Sequence, residues 1–357
     1  MIILGIETSC DETAAAIIKI NDDEKDLPAG RQVKLLSNII ATSLTLHAKT
    51  GGIIPEVAAR EQVKFIIPVI EEAMKALQNP KEEIDAIAVT NGPGLIGSLL
   101  VGVETARTIA YVWNKPIIPV NHLFGHIYAN FIHPNSELRT QNLELEENEI
   151  LFPAIALVVS GGHTDLVLMK NHKDIQWLGG TKDDAAGEAF DKTGRLLNLP
   201  YPAGPQIEQL AATVNEDVYH FPRPLIGTHD YDFSFSGLKS AVHREIQKDK
   251  PLSDERISNI CYSLQEAIFA VLIRKTFKAA NEFGAKSIIL GGGVASNQTL
   301  RHKFELEIEN CKLKIAFFVP DKKLCTDNAA MIAAAAYFNH EVIDWRKVSA
   351  NPELYFD

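Results

Sequence analysis

Apolar positions along the chain come first in runs of strand length and then at helical spacing. Residues 2–8, 13–20 and 33–42 are three such runs, separated by an Asp/Glu turn and by the polar segment 21–32, and they predict three strands. After Pro55 the period changes. Val57, Ala58, Val63, Ile66, Ile67, Ile70 and Met74 recur at the spacing of a helix. A buried strand at 84–90, a Gly-rich turn, a helix at 96–113, a strand at 116–120 and a helix from His122 complete the order βββαβαβα.

The same order then returns. Residues 152–160, 164–169 and 175–180 predict three strands, and helical stretches fill 185–282, including a long one from Asp254. A strand at 287–290, Gly291-Gly292-Gly293, a helix from Asn297, a strand at 315–319 and a helix from Asp327 close the second half. Two halves on one plan predict a duplicated α/β protein of two lobes, with the cleft between them as the ligand site. The expected boundaries are 1–134 for the first lobe, 135–149 for a solvated connection and 150–326 for the second. The C-terminal helix, 327–357, is expected to pack back onto the first lobe.

Composition agrees with this plan. A chain of 357 residues exceeds one ordinary core, and 46% hydrophobic against 23% charged residues is a globular profile. No apolar run reaches the roughly 18–20 residues of a membrane span, and no basic n-region precedes Ile2-Ile3-Leu4. Cys10, Cys261, Cys311 and Cys325 lie far apart without a CxxC, which suggests neither a disulfide framework nor a cysteine zinc site. A cytoplasmic location is expected. With 35 basic against 46 acidic residues the net charge is -11, so a nucleic-acid substrate would need a local basic patch or a partner. Lys239, His243, Arg244, Arg301 and Lys303 are candidate contacts, but they are dispersed in sequence.

Four turns share one chemistry: Ser9-Cys10-Asp11-Glu12-Thr13, Gly92-Pro93-Gly94, Ser160-Gly161-Gly162-His163-Thr164 and Gly291-Gly292-Gly293. Each follows an apolar strand, where freed backbone N–H groups and a nearby helix start can hold an anion such as a nucleotide phosphate. A plain tight turn explains any one of them alone. None is a P-loop or a GxGxxG, so neither a P-loop NTPase nor a Rossmann dehydrogenase is supported.

His122 and His126 stand at i and i+4 after a strand, with Asn121 placed to cap their helix. The spacing puts both imidazoles on one helix face within reach of one divalent ion. The duplication offers a third ligand: Thr326 can cap a helix beginning at Asp327, and facing lobes would bring Asp327 to the pair from across the cleft. Two histidines and a carboxylate suit Fe2+ or Zn2+ with open positions for substrate. His122-Leu123-Phe124-Gly125-His126 lacks the glutamate of HExxH, which disfavours peptide hydrolysis. His133 reads as a helix-end or surface residue, and His163 either faces the cleft or orients its own turn.

The segments GIETSCDETA, IIPEVAAR, TNGPGLIGSLLVGV, NHLFGH, VSGGHTDLV, DDAAGEAFDKTGRLL, YPAGP, FSFSGLKSAV, GGGVASN and CTDNAAMIA run from Gly5 to Ala333. Together they closely resemble the TsaD (YgjD, Gcp) family of tRNA threonylcarbamoyladenosine transferases in its bacterial form. The resemblance implies the duplicated two-lobe fold of actin, sugar kinases and heat-shock proteins. It implies transfer of the threonylcarbamoyl group from threonylcarbamoyl-adenylate to N6 of adenosine 37 in tRNAs reading codons that start with A. Carried over by motif, His122, His126 and Asp327 match the metal ligands, with Fe2+ favoured over Zn2+. Val158, Val159, Ser160, Gly161, Gly162, Asp191, Gly204 and Asn297 match the substrate-binding positions. Asp191 would accept from a ribose hydroxyl, although a helix-surface aspartate is its plain reading, as a helix cap is for Asn297.

Phe124 stands where the family often carries an acidic residue, and Ala203 replaces a frequent glycine. Asp11 and Glu12 are the candidates for taking a proton or orienting the attacking amine; a solvated turn is their plain alternative. The implied partners are TsaB and TsaE, with a TsaC-type enzyme making the adenylate. Two other functions fit the fold: an ATP-dependent small-molecule kinase, which needs Mg2+ on a carboxylate and no His-His-Asp set, and a nucleotide-binding scaffold.

Overall fold

The structure, a computed structural model, describes residues 1–20, 33–132, 149–248, 251–311, 314–339 and 341–356. The polar segment 21–32, His133 and nearly all of the expected connection 135–149 lie outside the described residues. The chain divides into two compact units, Met1–Ile150 with Pro320–Asp357, and Leu151–Val319.

The first unit is built on strands β1 (Ile2–Glu7), β2 (Glu12–Ile20), β3 (Val33–Thr42), β4 (Ala86–Gly92) and β5 (Ile117–Asn121), in the order β3-β2-β1-β4-β5. β1 is antiparallel to β2 and parallel to β4, which runs parallel to β5. β1 is central, so its Ile3, Leu4 and Ile6 are wholly buried and it reads as a continuous apolar run. Helix Pro55–Met74 starts with proline at its first turn, where a missing N–H costs nothing. Its buried face is Ala58, Gln62, Ile66, Val69, Ile70 and Ala73. Val63 and Ile67, expected on that face, are instead 63% and 52% exposed, because helical spacing alone places two rows of apolar residues without saying which one meets the sheet.

The second unit repeats the topology with β6 (Ala154–Val159), β7 (Thr164–Met169), β8 (Ile175–Gly180), β9 (Ser287–Gly291) and β10 (Ala316–Phe318), in the order β10-β9-β6-β7-β8. Read from the third strand of each half, both sheets run third, second, first, fourth, fifth. The duplication seen in the sequence is thus a duplication of strand order. The helix Asp254–Glu282 is capped by the Ser253 side chain and buries Ile260, Leu264, Ile268, Val271 and Leu272.

The chain re-enters the first unit at Pro320. Its last stretch is not one helix: Ala329–Asn339 is helical, and among the described residues after it only the short 3-10 turn Trp345–Lys347 is helical. The start also differs from expectation. Asn328, rather than Thr326, accepts the Met331 N–H at 3.0 Å and caps the helix, so Asp327 lies just outside it. Gly5 lets this helix close on β1, since a Cβ there would stand 2.3 Å from the Ala329 carbonyl oxygen. The tail continues along the same unit, with Ile343 bridging Ile117 and Asn351 N–H donating to the Asn91 carbonyl.

Candidate functional site

In the first unit the parallel strands β1, β4 and β5 end side by side, at Glu7, Gly92 and Asn121. The C-terminal end of a parallel sheet is where chain turns, helix starts and freed N–H groups gather. Asn121 accepts from the Leu123 N–H at 2.8 Å and so starts the helix His122–Tyr128, as expected from its sequence position. His122 and His126 then lie one turn apart, rings edge to face at 4.7 Å between centroids, both buried.

Asp327 Oδ1 lies 3.5 Å from His122 Nε2 and 3.3 Å from His126 Nε2. Among the described residues these three side chains form the group whose ligand atoms fall within 4.8 Å of one another. Asp327 therefore belongs to the same unit as the histidines, and the expected approach from the second lobe is corrected: the chain has already crossed back at Pro320. The donor set suits a divalent cation. Among the described residues Nδ1 of buried His126 has no hydrogen-bond partner, and Nε2 meets the Asp327 carboxylate at 3.3 Å, a pair that a shared cation would satisfy.

The charges around this point are unequal. Burial would pull His122 down, but the Asp327 and Glu7 carboxylates outweigh it and push its pKa up to about 9. Burial dominates at His126 and holds its pKa below the ordinary value. Glu12 is raised well above the usual carboxylate range, by burial first and then by repulsion from Asp327 and Asp11. The same causes, burial foremost, raise the Cys10 thiol.

The turn carrying Asp11 and Glu12 is held by its carbonyls. Gln62 Nε2 donates to Thr8, Cys10 and Glu12 at 3.3, 3.0 and 3.0 Å, Ser98 Oγ donates to Cys10, and Leu95 N–H donates to Ser9. Ser43 donates to Asp11 through both N–H and Oγ. Glu7 and Gln62 are the residues that sequence reasoning missed. Each looked like part of an element, a strand end and a helix position, and only long-range hydrogen bonds reveal otherwise. Phe124 packs on Phe356, with ring centroids 5.5 Å apart, so no acidic group occupies that position.

In the second unit the structure gathers most of the remaining candidates at the end of β6. Val158 and Val159 are wholly buried in the sheet and offer backbone only. Ser160 turns back on His163, accepting its N–H at 3.2 Å, and Gly187 N–H donates to the Ser160 carbonyl. Gly187 opens the helix Ala186–Leu196, which carries Asp191 one turn further on. Asp191 Oδ1 accepts the Ala203 N–H at 2.7 Å, next to Gly204 at the start of the helix Gly204–Ala211. Burial raises the Asp191 pKa against that hydrogen bond and Arg195. Asn297 behaves as a cap, accepting from Leu300 N–H and donating to Gln265. Gly161 and Gly162 are exposed, and a Cβ on either would meet nothing among the described residues. Gly292 differs: it has φ +94, and a Cβ there would lie 2.3 Å from the Val159 carbonyl oxygen.

Two units of one strand order define the actin, sugar kinase and heat-shock protein fold class. Solved structures agree at the level of fold. The structure of T. kodakarensis HypF superposes with a TM-score of 0.59 at 15% identity, covering 94% of this chain and 47% of that one. HypF in its phosphate- and nucleotide-bound form gives 0.58 at 12%, covering 94% and 46%. A family model, TsaD: tRNA N6-adenosine threonylcarbamoyltransferase, matches residues 34–334. The protein of that name from Symbiobacterium thermophilum is 46% identical over 338 residues, 94% of this chain and 91% of the relative. The one from Staphylococcus aureus is 44% identical over 346 residues, 96% and 92%. The chain belongs to the TsaD family.

Proposed function

We propose that this chain transfers the threonylcarbamoyl group from threonylcarbamoyl-adenylate to N6 of adenosine 37 of tRNAs reading codons that start with A. Family membership over nearly the whole chain carries the reading. His122, His126 and Asp327 are the residues that would hold Fe2+ or Zn2+, and such an ion supplies a Lewis acid for a carbonyl or carboxylate of the substrate. The amine N6 attacks the carbamoyl carbon, the bond from that carbon to the phosphate oxygen breaks, and AMP leaves with the electron pair. Asp11 or Glu12 takes the proton from the amine. Glu12 suits the task because burial, foremost, raises its pKa above the usual carboxylate range. Backbone N–H groups of Gly161 and Gly162 would hold the adenylate, with Asp191 receiving a ribose hydroxyl.

TsaB and TsaE are proposed partners, with the adenylate supplied by a TsaC-type enzyme, and the cytoplasm is the proposed location. A partner is supported by solvent-exposed apolar pairs, Val63 with Ile67 and Ile96 with Leu100, on two helices that meet closely where Gly97 faces Ala59. No helix among the described residues is long and apolar enough to cross a membrane. The test is a reconstituted reaction of the chain with those partners, tRNA, threonine, bicarbonate and ATP, read by nucleoside mass spectrometry. Threonylcarbamoyladenosine should form only when the chain is present; its absence overturns the reading.

A further inference from the structure

Glu7, the last residue of β1, is a wholly buried carboxylate that the proposed transfer does not use. A buried charge persists only where its lone pairs are taken. Glu7 Oε1 accepts the Ser9 N–H at 2.5 Å, and Oε2 accepts the Thr90 hydroxyl at 2.5 Å. The same Oε2 lies 3.1 Å from His122 Nδ1, with Ser9 Oγ 3.2 Å from that nitrogen. The other ring nitrogen of His122 points at Asp327.

We propose that Glu7 is the positioning residue of the metal centre: by taking the Nδ1–H of His122 it fixes the tautomer that leaves Nε2 free for a divalent cation shared with His126 and Asp327. This rests on reading those three side chains as cation ligands. Glu7 faces three groups, and one cannot change role: the Ser9 backbone N–H is always a donor. In Glu7→Gln the amide oxygen must therefore stay on Ser9, and the NH2 group falls where Oε2 was. Thr90 can turn its hydroxyl to accept. An NH2 donor opposite Nδ1 favours a bare Nδ1 with the proton on Nε2, against the cation, and leaves Ser9 Oγ as the remaining acceptor beside an Nδ1–H. Glu7→Ala removes more packing but admits water, which can still accept from Nδ1–H. An acceptor role and a structural role thus predict opposite orders: a proton acceptor is hurt at least as much by Gln as by Ala, a packing residue more by Ala.

The experiment measures Zn2+ affinity of the full chain by competition with a chromophoric chelator, for wild type, Glu7→Gln, Glu7→Ala and the site control His126→Ala. Expected are a loss of about 10- to 100-fold in Glu7→Gln, a loss no greater in Glu7→Ala, and near-complete loss in His126→Ala. Wild-type affinity in Glu7→Gln, or a larger loss in Glu7→Ala, overturns the role of Glu7. Wild-type affinity in His126→Ala overturns the cation site itself, a separate failure. If either Glu7 variant does not fold, ring-labelled 15N NMR of zinc-loaded wild type decides. A protonated Nδ1 with zinc on Nε2 of His122 supports the proposal, and the reverse arrangement overturns it.

Discussion

Two histidines one helical turn apart are driven in opposite directions, and the difference lies in what stands behind each ring. His122 has carboxylates on both sides, Glu7 and Asp327, whereas at His126 full burial, helped by repulsion from His122, outweighs Asp327. Ligands to one ion act as a unit, so His122→Ala, His126→Ala and Asp327→Ala should each remove most bound metal and most transfer activity while the fold survives. Elemental analysis of the purified variants checks this, and normal occupancy in all three would rule out the site. The glycines divide by cause in the same way. A side chain at Gly161 would meet nothing among the described residues, so Gly161→Val should weaken an adenylate analogue in calorimetry without lowering the unfolding midpoint. Gly292→Val should lower that midpoint as well, because its φ and the Val159 carbonyl leave no room for a side chain. Equal affinity for the analogue in Gly161→Val and wild type would make that glycine a turn former alone.

At the scale of elements, the strands and the long helices were legible because period and turn residues agree. The helix at 96–113 and the strands at 33–42, 164–169 and 175–180 fall where the pattern places them. The pair His122 and His126 was legible for the same reason, since helical spacing is local. Glu7 was not: its partner lies 115 residues away, and no local pattern distinguishes a strand-end carboxylate in water from one buried on an imidazole. The final helix shows the same limit, since Thr326 and Asn328 are both good caps and only the fold chooses. Asn328 also donates to the Leu324 and Thr326 carbonyls at 3.2 and 2.8 Å, which locks the turn bearing Asp327. Asn328→Ala should cost about 1–3 kcal/mol in urea unfolding through the lost cap and the unpaired carbonyls, and should lower metal content too. A stability loss with full metal content would separate the cap from the site. In the second unit, wholly buried Lys275 reaches Thr228 Oγ1 and the Asp230 carbonyl and carboxylate at 2.6, 2.9 and 3.0 Å, tying a loop to the helix Asp254–Glu282. Lys275 and then Thr228 hold the Asp230 pKa down from 3.8 to about 2. A depressed folded value stabilises fully above the unfolded one and is lost as pH falls through the folded one. Asp230→Asn should therefore unfold more readily than wild type at pH 6, with the gap closing between about pH 4 and 2. A gap constant over that range would exclude the charge as its source.

For the molecule as a whole the unresolved tension is between a polyanionic substrate and a chain of net charge -11. Long-range repulsion slows encounter, so binding must come from local cations or from a partner. The structure thins the supply of local cations. Lys303 is paired with Glu266 at 2.9 Å, and Arg301 donates its Nε to the Ala295 carbonyl at 2.7 Å. Lys239, His243 and Arg244 are exposed along the helix Ser236–Gln247, where they can meet phosphates, but the same helix ends in the Glu245 pairs with Lys248 and Arg256. A short basic stretch of this kind gives few phosphate contacts, and each contact releases about one counterion. Binding of tRNA by the isolated chain is therefore expected to be weak and to fall steeply with salt, and addition of the proposed partners should tighten it. Filter binding or fluorescence anisotropy across a salt series, with and without the partners, measures both slopes. Lys239→Glu with Arg244→Glu should weaken tRNA binding by the isolated chain while leaving metal content untouched. Tight, salt-insensitive binding by the chain alone would place recognition within this protein and on contacts other than phosphate.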